Sequence, residues 1–176
     1  MKKPTLFTVS RTVHTDLNGA LKKLKKMAVY VGIPRGSEKD ERKDGPMLNS
    51  DLGWIHEKGA PSAGIPPRPF LAPGVMSVRE RVSNMMGNAV KMALSNDEQS
   101  MKKQLDEAGG VAADAVRNYV NEGKLTPLKP ASIKNRKRSR NTESSREGEK
   151  DGTATIVPLI NTNALVGAVQ GLTVEE

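Results

Sequence analysis

The stretch GIPPRPFLAPG, residues 64–74, constrains this chain more than any other segment. It holds four prolines, and Phe70 is its one aromatic residue. Each proline fixes its own φ and favours an extended conformation in the residue before it, so we predict a stiff, extended segment. A stiff segment loses little conformational entropy when it docks, which suits Phe70 and Leu71 to the role of anchors. Arg68 can then pair with a carboxylate or with backbone oxygens.

Two interpretations of Phe70 stay open at this point. In the first, the ring inserts into the surface of another subunit. In the second, it packs into the core of its own chain, at the start of a helix. Both hold if the segment lies where two protein surfaces meet.

Composition limits what the 176 residues can form. Hydrophobic residues make up 36% of the chain and aromatic residues 3%, which predicts one domain, residues 1–176, with a thin core of aliphatic residues. The sequence has no apolar run of about 18 residues, so we expect no membrane-spanning helix. The first residues do not resemble a signal peptide. Cysteine is absent, which excludes disulfides and thiolate metal sites and fits a reducing compartment.

Helical and strand periodicities alternate in the first half of the chain. Asp16 is placed to cap a first helix, and MAVYVG after it has the β-branched and aromatic character of a strand. Residues 34–47 are polar and charged, and we expect a mobile loop. A short helix follows, capped by Asn49 or Ser50 and with three apolar side chains facing inward: Leu52, Trp54 and Ile55.

Two longer helices are predicted after the proline-rich segment. The first begins at Pro73 and repeats apolar residues every three or four positions to Leu94. Asn96 and Asp97 end it and cap the second, which runs to Gly123. A pair of glycines, Gly109–Gly110, indicates a kink or a close helix crossing in the second helix.

The C-terminal stretch VQGLTVE is predicted to be an edge strand that pairs with residues 28–32. The expected fold class is therefore α+β: a small antiparallel β-sheet packed against one long helix, with additional helices and long flexible loops. Residues 134–157 form the second loop that we expect to be mobile.

Patterns that carry catalysis are missing from the sequence. The pair His56–Glu57 resembles the start of a zinc protease motif, but that motif requires a second histidine where this chain has Ala60. With two histidines and no cysteine, no metal or other cofactor is expected. We therefore expect a protein that is not an enzyme.

The net charge of +8 favours anionic partners. Much of this charge is local, and the basic cluster has five members whose side chains could contact DNA phosphates or an acidic partner: Lys134, Arg136, Lys137, Arg138 and Arg140. Neither aromatic residues for base stacking nor a base-reading motif accompanies them. A plain solvated loop is the alternative for this segment.

Two separate stretches resemble one family. The first joins the strand ending in VG to NSDLGWIHEKGAPSAGIPPRPFL, and it is similar to the tail-completion and neck proteins of tailed bacteriophages. The second, LTPLKPASIKNRK followed by PLINTNALVGAVQ, is similar to phage minor tail and virion-morphogenesis proteins. Together they cover about residues 27 to 170. The usual Asp-Thr-Gly-Ala-Leu becomes NTNAL at residues 161–165, and asparagine at both changed positions keeps the capping capacity.

The resemblance implies a structural virion protein that forms a ring at the phage neck, which joins the head connector to the tail or completes the head-proximal end of the tail. It implies a sixfold or twelvefold homo-oligomer assembled in the host cytoplasm. The implied neighbours are connector, tail-terminator or tail-tube proteins, with genome DNA passing through the channel and no membrane. A basic nucleic-acid-binding accessory protein is the alternative.

The ring hypothesis assigns the subunit or partner interface to two segments. The first is the proline-rich stretch, and the second is the apolar stretch near the C-terminus. The assigned residues are Ile65, Pro66, Pro67, Arg68, Pro69, Phe70, Leu71, Leu159, Ile160 and Leu165.

Overall fold

The computed structural model describes residues 17–42, 46–123, 125, 133–134 and 164–176. The elements of this part are, in chain order, α1 (Leu17–Lys25), β1 (Met27–Gly32), α2 (Asn49–Lys58), α3 (Leu71–Ser77), α4 (Arg79–Leu94), α5 (Glu98–Asn121), α6 (Ala164–Gly167) and β2 (Gln170–Glu175). A single 3-10 turn, Pro61–Ala63, lies between α2 and α3.

The two strands form an antiparallel sheet whose register runs from Met27↔Glu175 to Gly32↔Gln170. This confirms the predicted pairing of the C-terminal strand with residues 28–32. Because side chains alternate along a strand, Val29 and Val31 share the face that packs on the helices, and Tyr30 lies on the opposite face beside Leu172.

Helix α5 packs against the inner face of the sheet and forms the centre of the core, so the predicted fold class is confirmed. Its buried side chains repeat at three- and four-residue spacing. They are Met101, Leu105, Ala108, Ala112, Ala113, Ala115, Val116 and Val120. One core cluster surrounds Phe70 and Val116, and a second joins α5 to Ala89 and Ala93 of α4.

Helix α5 continues without a break through the paired glycines, and the close approach at Gly109 is to the strands rather than to another helix. A Cβ added at Gly171 in β2 would lie 2.2 Å from the backbone carbonyl of Gly109. Gly110 has no neighbouring atom within 4 Å of such a Cβ. Only the first glycine of the pair therefore serves the packing of helix on sheet.

The predicted continuous helix from Pro73 is wrong in two respects. The helix begins two residues earlier and is interrupted at Val78, whose φ of −116° separates α3 from α4. The Ser77 hydroxyl donates to the carbonyl of Gly74 at 2.6 Å, a side-chain bond that competes with regular helical bonding. Gly74 is also held close to α5, since a Cβ there would lie 2.6 Å from Val116 Cα.

The caps of α2 and α5 differ in origin. Asp97 accepts from the N–H of Ser100 and caps α5 as predicted, directly after Asn96 at φ 57°. The predicted cap of α2 by Asn49 or Ser50 is wrong, because Asp40 supplies it from ten residues upstream. Its carboxylate accepts from the Ser50 N–H at 2.7 Å and from the Ser50 hydroxyl at 3.2 Å.

The Asp40 side chain is fully buried and also accepts from the N–H of Gly36 at 2.8 Å. Burial alone would raise the pKa of Asp40, but the hydrogen bonds from Gly36 and Ser50 outweigh it and hold the pKa below its ordinary value. Part of the 34–42 segment is thus fastened to α2. The mobility that we expect of residues 34–47 stays a prediction, and residues 135–157 lie outside the described residues.

Candidate assembly surface

The carboxylate of Glu57 joins two helices. It lies on the last turn of α2 and accepts hydrogen bonds from three backbone N–H groups at the start of α3: those of Phe70 at 2.8 Å, Leu71 at 3.0 Å and Ala72 at 3.3 Å. These are N–H groups that the helix itself leaves without partners, so a negative charge at this position is favourable. Glu57 thus serves as the cap of α3.

The segment between the two helices is folded back on α2. The N–H of Arg68 donates to the carbonyl of His56 at 2.7 Å, and Ala60 pairs with Ile65 in an isolated bridge. Gly59 has a φ of 77°, and a Cβ there would lie 2.8 Å from the nitrogen of Pro67. The two parts of the motif that carries the family resemblance, IHEKG and IPPRPFL, therefore form one structural unit.

A groove of about 700 Å³ lies between β1, α2 and α3. Its lining is mainly apolar, and its inner wall includes side chains of the core clusters. Six of the lining residues are Val29, Val31, Ile33, Gly53, Leu71 and Val75. Gly53 keeps the wall of α2 close to β1, because a Cβ there would lie 2.9 Å from Ile33 Cδ1.

Three side chains at the edge of this groove reach into solvent, and we call them the groove rim: Trp54, Lys58 and Met76. Trp54 is 66% exposed and Met76 58% exposed, the two largest values among the exposed large hydrophobic residues. The ammonium of Lys58 lies 5.7 Å from the centroid of the Trp54 ring. The prediction that Trp54 faces inward is therefore wrong.

A second exposed apolar surface lies on the face of the sheet that points away from α5. We call it the outer sheet face and define it by Tyr30, Leu172, Val174 and Glu176. Its three apolar or aromatic members are 39 to 52% exposed. The Tyr30 hydroxyl donates to the carboxylate of Glu176, and this hydrogen bond, together with the negative charge of Glu176, raises the pKa of the tyrosine. No helix of the described part covers this face.

The structure brings the predicted proline-rich interface residues together but gives them different exposures. Phe70 is 3% exposed and packs in the core with Val116 and Leu165, which is the second of the two interpretations considered above. Arg68 is also buried, Pro67 and Pro69 are exposed, and the remaining three, Ile65, Pro66 and Leu71, are half-buried. Leu159 and Ile160 lie outside the described residues. The assignment of this stretch to a subunit interface stays a prediction.

The basic cluster is described at one position, the exposed Lys134, and Arg136, Lys137, Arg138 and Arg140 lie outside the described residues. The described residues hold 16 of the 28 Lys and Arg and 14 of the 20 Asp and Glu, so their net charge is +2. Most of the basic excess of the chain therefore belongs to other parts of the sequence.

The described ranges contain no group of three or more His, Cys, Asp or Glu side chains that could hold a metal ion. None of the helices described is both long and apolar enough to cross a membrane.

Comparison with known proteins gives no relative. No protein-family model, no curated protein sequence and no solved structure matches this chain.

Sequence reasoning missed the surfaces that the structure leaves uncovered. Trp54 lies between Leu52 and Ile55, and a step of about 100° per residue puts it away from both of them on a helix. This spacing could have placed it outside. Tyr30 and Leu172 could have been found from the strand alternation once the register of the two strands was known.

Proposed function

We propose that this chain is a structural virion protein of a tailed bacteriophage, the subunit of an oligomeric ring at the neck. The ring joins the head connector to the tail or completes the head-proximal end of the tail, next to connector, tail-terminator or tail-tube proteins. Assembly takes place in the host cytoplasm, the ring has sixfold or twelvefold symmetry, and genome DNA passes through its channel. The chain acts by binding its neighbours and not by catalysis.

The observation that carries this proposal is the pair of exposed apolar surfaces, the groove rim and the outer sheet face. Large apolar side chains such as Trp54 and Met76 are unfavourable in water, and contiguous groups of them mark binding surfaces. Interface cores are enriched in tryptophan, tyrosine and methionine, which both surfaces supply. A fold with a net charge of +2 over its described residues is better suited to protein contacts than to tight binding of DNA.

Glu57 caps α3 within the motif that carries the family resemblance, and this cap supports an assembly role because it shapes the groove. Glu57 holds the proline-rich segment against α2 and so fixes the wall of the groove beside Leu71. Because its carboxylate is engaged by backbone N–H groups, we propose no catalytic use for the His56–Glu57 pair. Replacement of either residue is expected to change stability and assembly alone.

Negative-stain imaging of the purified protein tests the proposal. We expect ring-shaped particles of a single diameter with an open centre. Particles without rotational order, or none above the size of one chain in the presence of a purified phage connector as well, would contradict it.

The second candidate function is a basic nucleic-acid-binding accessory protein, and one observation favours it: the basic cluster around residues 134–140 within a chain of net charge +8. A variant that lacks residues 134–149 tests it. Loss of duplex-DNA binding with unchanged assembly, together with a steep salt dependence in the full chain, would favour this function. The ring proposal predicts weak DNA binding by the full chain at physiological salt.

A further inference from the structure

We infer that neighbouring copies in the ring contact each other through the two exposed surfaces, the groove rim of one copy against the outer sheet face of the next. The inference rests on the proposed ring and adds which surfaces of neighbouring copies meet. Each of the two surfaces is covered by a second copy of this chain.

The two surfaces are different and belong to different parts of the fold. The groove rim stands on α2 and α3, whereas the outer sheet face is formed by β1, β2 and the last residue of the chain. A contact between two different patches is heterologous, so every copy keeps one patch free for the next neighbour. Such contacts generate a closed ring when the rotation between copies closes.

Their apolar chemistry is matched. The rim offers an indole ring and a thioether, from Trp54 and Met76, and the groove behind them is apolar. The outer sheet face offers Tyr30, Leu172 and Val174 at neighbouring cross-strand positions: Tyr30 pairs directly with Leu172, and Val174 is two residues further along β2. Exposed aromatic and aliphatic side chains of this kind can supply the desolvated centre of an interface.

Their charges are complementary. Within the described part of the chain, the ammonium of Lys58 has no carboxylate partner and lies 5.7 Å from the centroid of the Trp54 ring. The outer sheet face carries a carboxylate, that of Glu176, which accepts from the Tyr30 hydroxyl and lies opposite the exposed Lys26 in the strand register. Contact between rim and sheet face pairs these charges. A contact between two rims would instead bring the Lys58 ammonium groups of two copies together, so charge favours the contact of rim with sheet face.

Charge reversal tests the inference. The K58E chain carries an acidic group on each of its two surfaces. The E176K chain carries a basic group on each of them. We expect each variant alone to assemble at least tenfold more weakly than the unmodified chain in sedimentation experiments. The K58E/E176K double variant restores an opposite pair at every contact and is expected to recover assembly.

A mixture of the two single variants provides a second test of the same pairing. Equal amounts of the K58E and E176K chains can form alternating assemblies, because each rim then meets a sheet face of opposite charge. We expect the mixture to assemble where neither chain does so alone. W54A is the apolar counterpart: it should abolish assembly and yet unfold close to the unmodified chain at a concentration where both are monomeric.

The outcomes separate the inference from the proposal on which it rests. If the unmodified chain forms a ring and the single variants assemble equally well, this contact is overturned and the ring stands. If the single variants weaken assembly but neither the double variant nor the mixture restores it, the pairing of Lys58 with Glu176 is overturned. If the unmodified chain stays a monomer at every concentration, and also in the presence of a purified phage connector, the proposed function itself fails.

Discussion

Glu57 accepts a hydrogen bond of 2.8 Å from the backbone N–H of Phe70, and this contact joins α2 to the first turn of α3. The two residues are 13 positions apart and belong to the two halves of one sequence motif. The carboxylate fixes the position of the Phe70 backbone while the ring packs into the core. Stability and the shape of the groove therefore depend on the same contact.

Replacement of Glu57 by alanine should lower the free energy of unfolding by about 1 to 3 kcal/mol, since it leaves N–H groups at the start of α3 without their acceptor. Urea denaturation followed by circular dichroism measures the loss. Glu38→Ala is the matched control, because Glu38 is exposed and should change stability by less than about 0.5 kcal/mol. Equal stabilities of the two variants would show that the cap contributes nothing.

The two large aromatic residues beside the groove should respond differently to truncation. Phe70→Ala removes a buried ring and should cost about 3 to 5 kcal/mol of unfolding free energy. Trp54→Ala removes an exposed ring and should cost less than about 1 kcal/mol. Equilibrium denaturation at a concentration where the chain is monomeric distinguishes them. A large loss in the tryptophan variant would place its ring in the core.

Two glycines should respond to alanine with opposite signs. Gly171→Ala drives a methyl group into the backbone of Gly109 and should lower the free energy of unfolding by about 1 to 3 kcal/mol or more. Gly110→Ala places a methyl group in open space within a helix and should stabilise it by about 0.5 to 1 kcal/mol. Thermal unfolding midpoints report both signs. A neutral effect at Gly171 would contradict the close packing of α5 on β2.

Asp40→Asn should lower the free energy of unfolding at neutral pH by about 1 to 3 kcal/mol, since it weakens the bonds to Gly36 and Ser50. The pKa of Asp40 is lowered in the folded state, so its stabilisation is complete above the ordinary value of 3.8 and is lost as the pH falls through the lower folded value. Urea denaturation of both proteins between pH 7 and about pH 2 measures the difference. A difference that does not shrink below pH 3.8 would contradict this account.

Local patterns predicted a good part of this fold. The strand Met27–Gly32 and the cap at Asp97 follow from residue type and spacing over a few neighbours. The buried face of α5 follows from a helical repeat of small and aliphatic residues. These features depend on short-range physics, so the sequence is sufficient to predict them.

Apart from the pairing of the two strands, features that depend on distant parts of the chain were not predicted. The cap of α2 comes from Asp40 and the cap of α3 from Glu57, and neither lies at the position where a local cap is expected. The interruption at Val78 lies beside the close packing of Gly74 on α5, a tertiary contact. The outer sheet face was harder to predict than these caps, because the exposure of Tyr30 depends on the strand register and on what the rest of the fold leaves uncovered.

The measurement that tests the central claim most directly is native mass spectrometry of the purified protein over a range of concentrations. The account predicts one closed oligomer with a single copy number, which is lost in the W54A variant. A monomer at all concentrations that binds duplex DNA at physiological salt would contradict it and would favour the nucleic-acid-binding function instead.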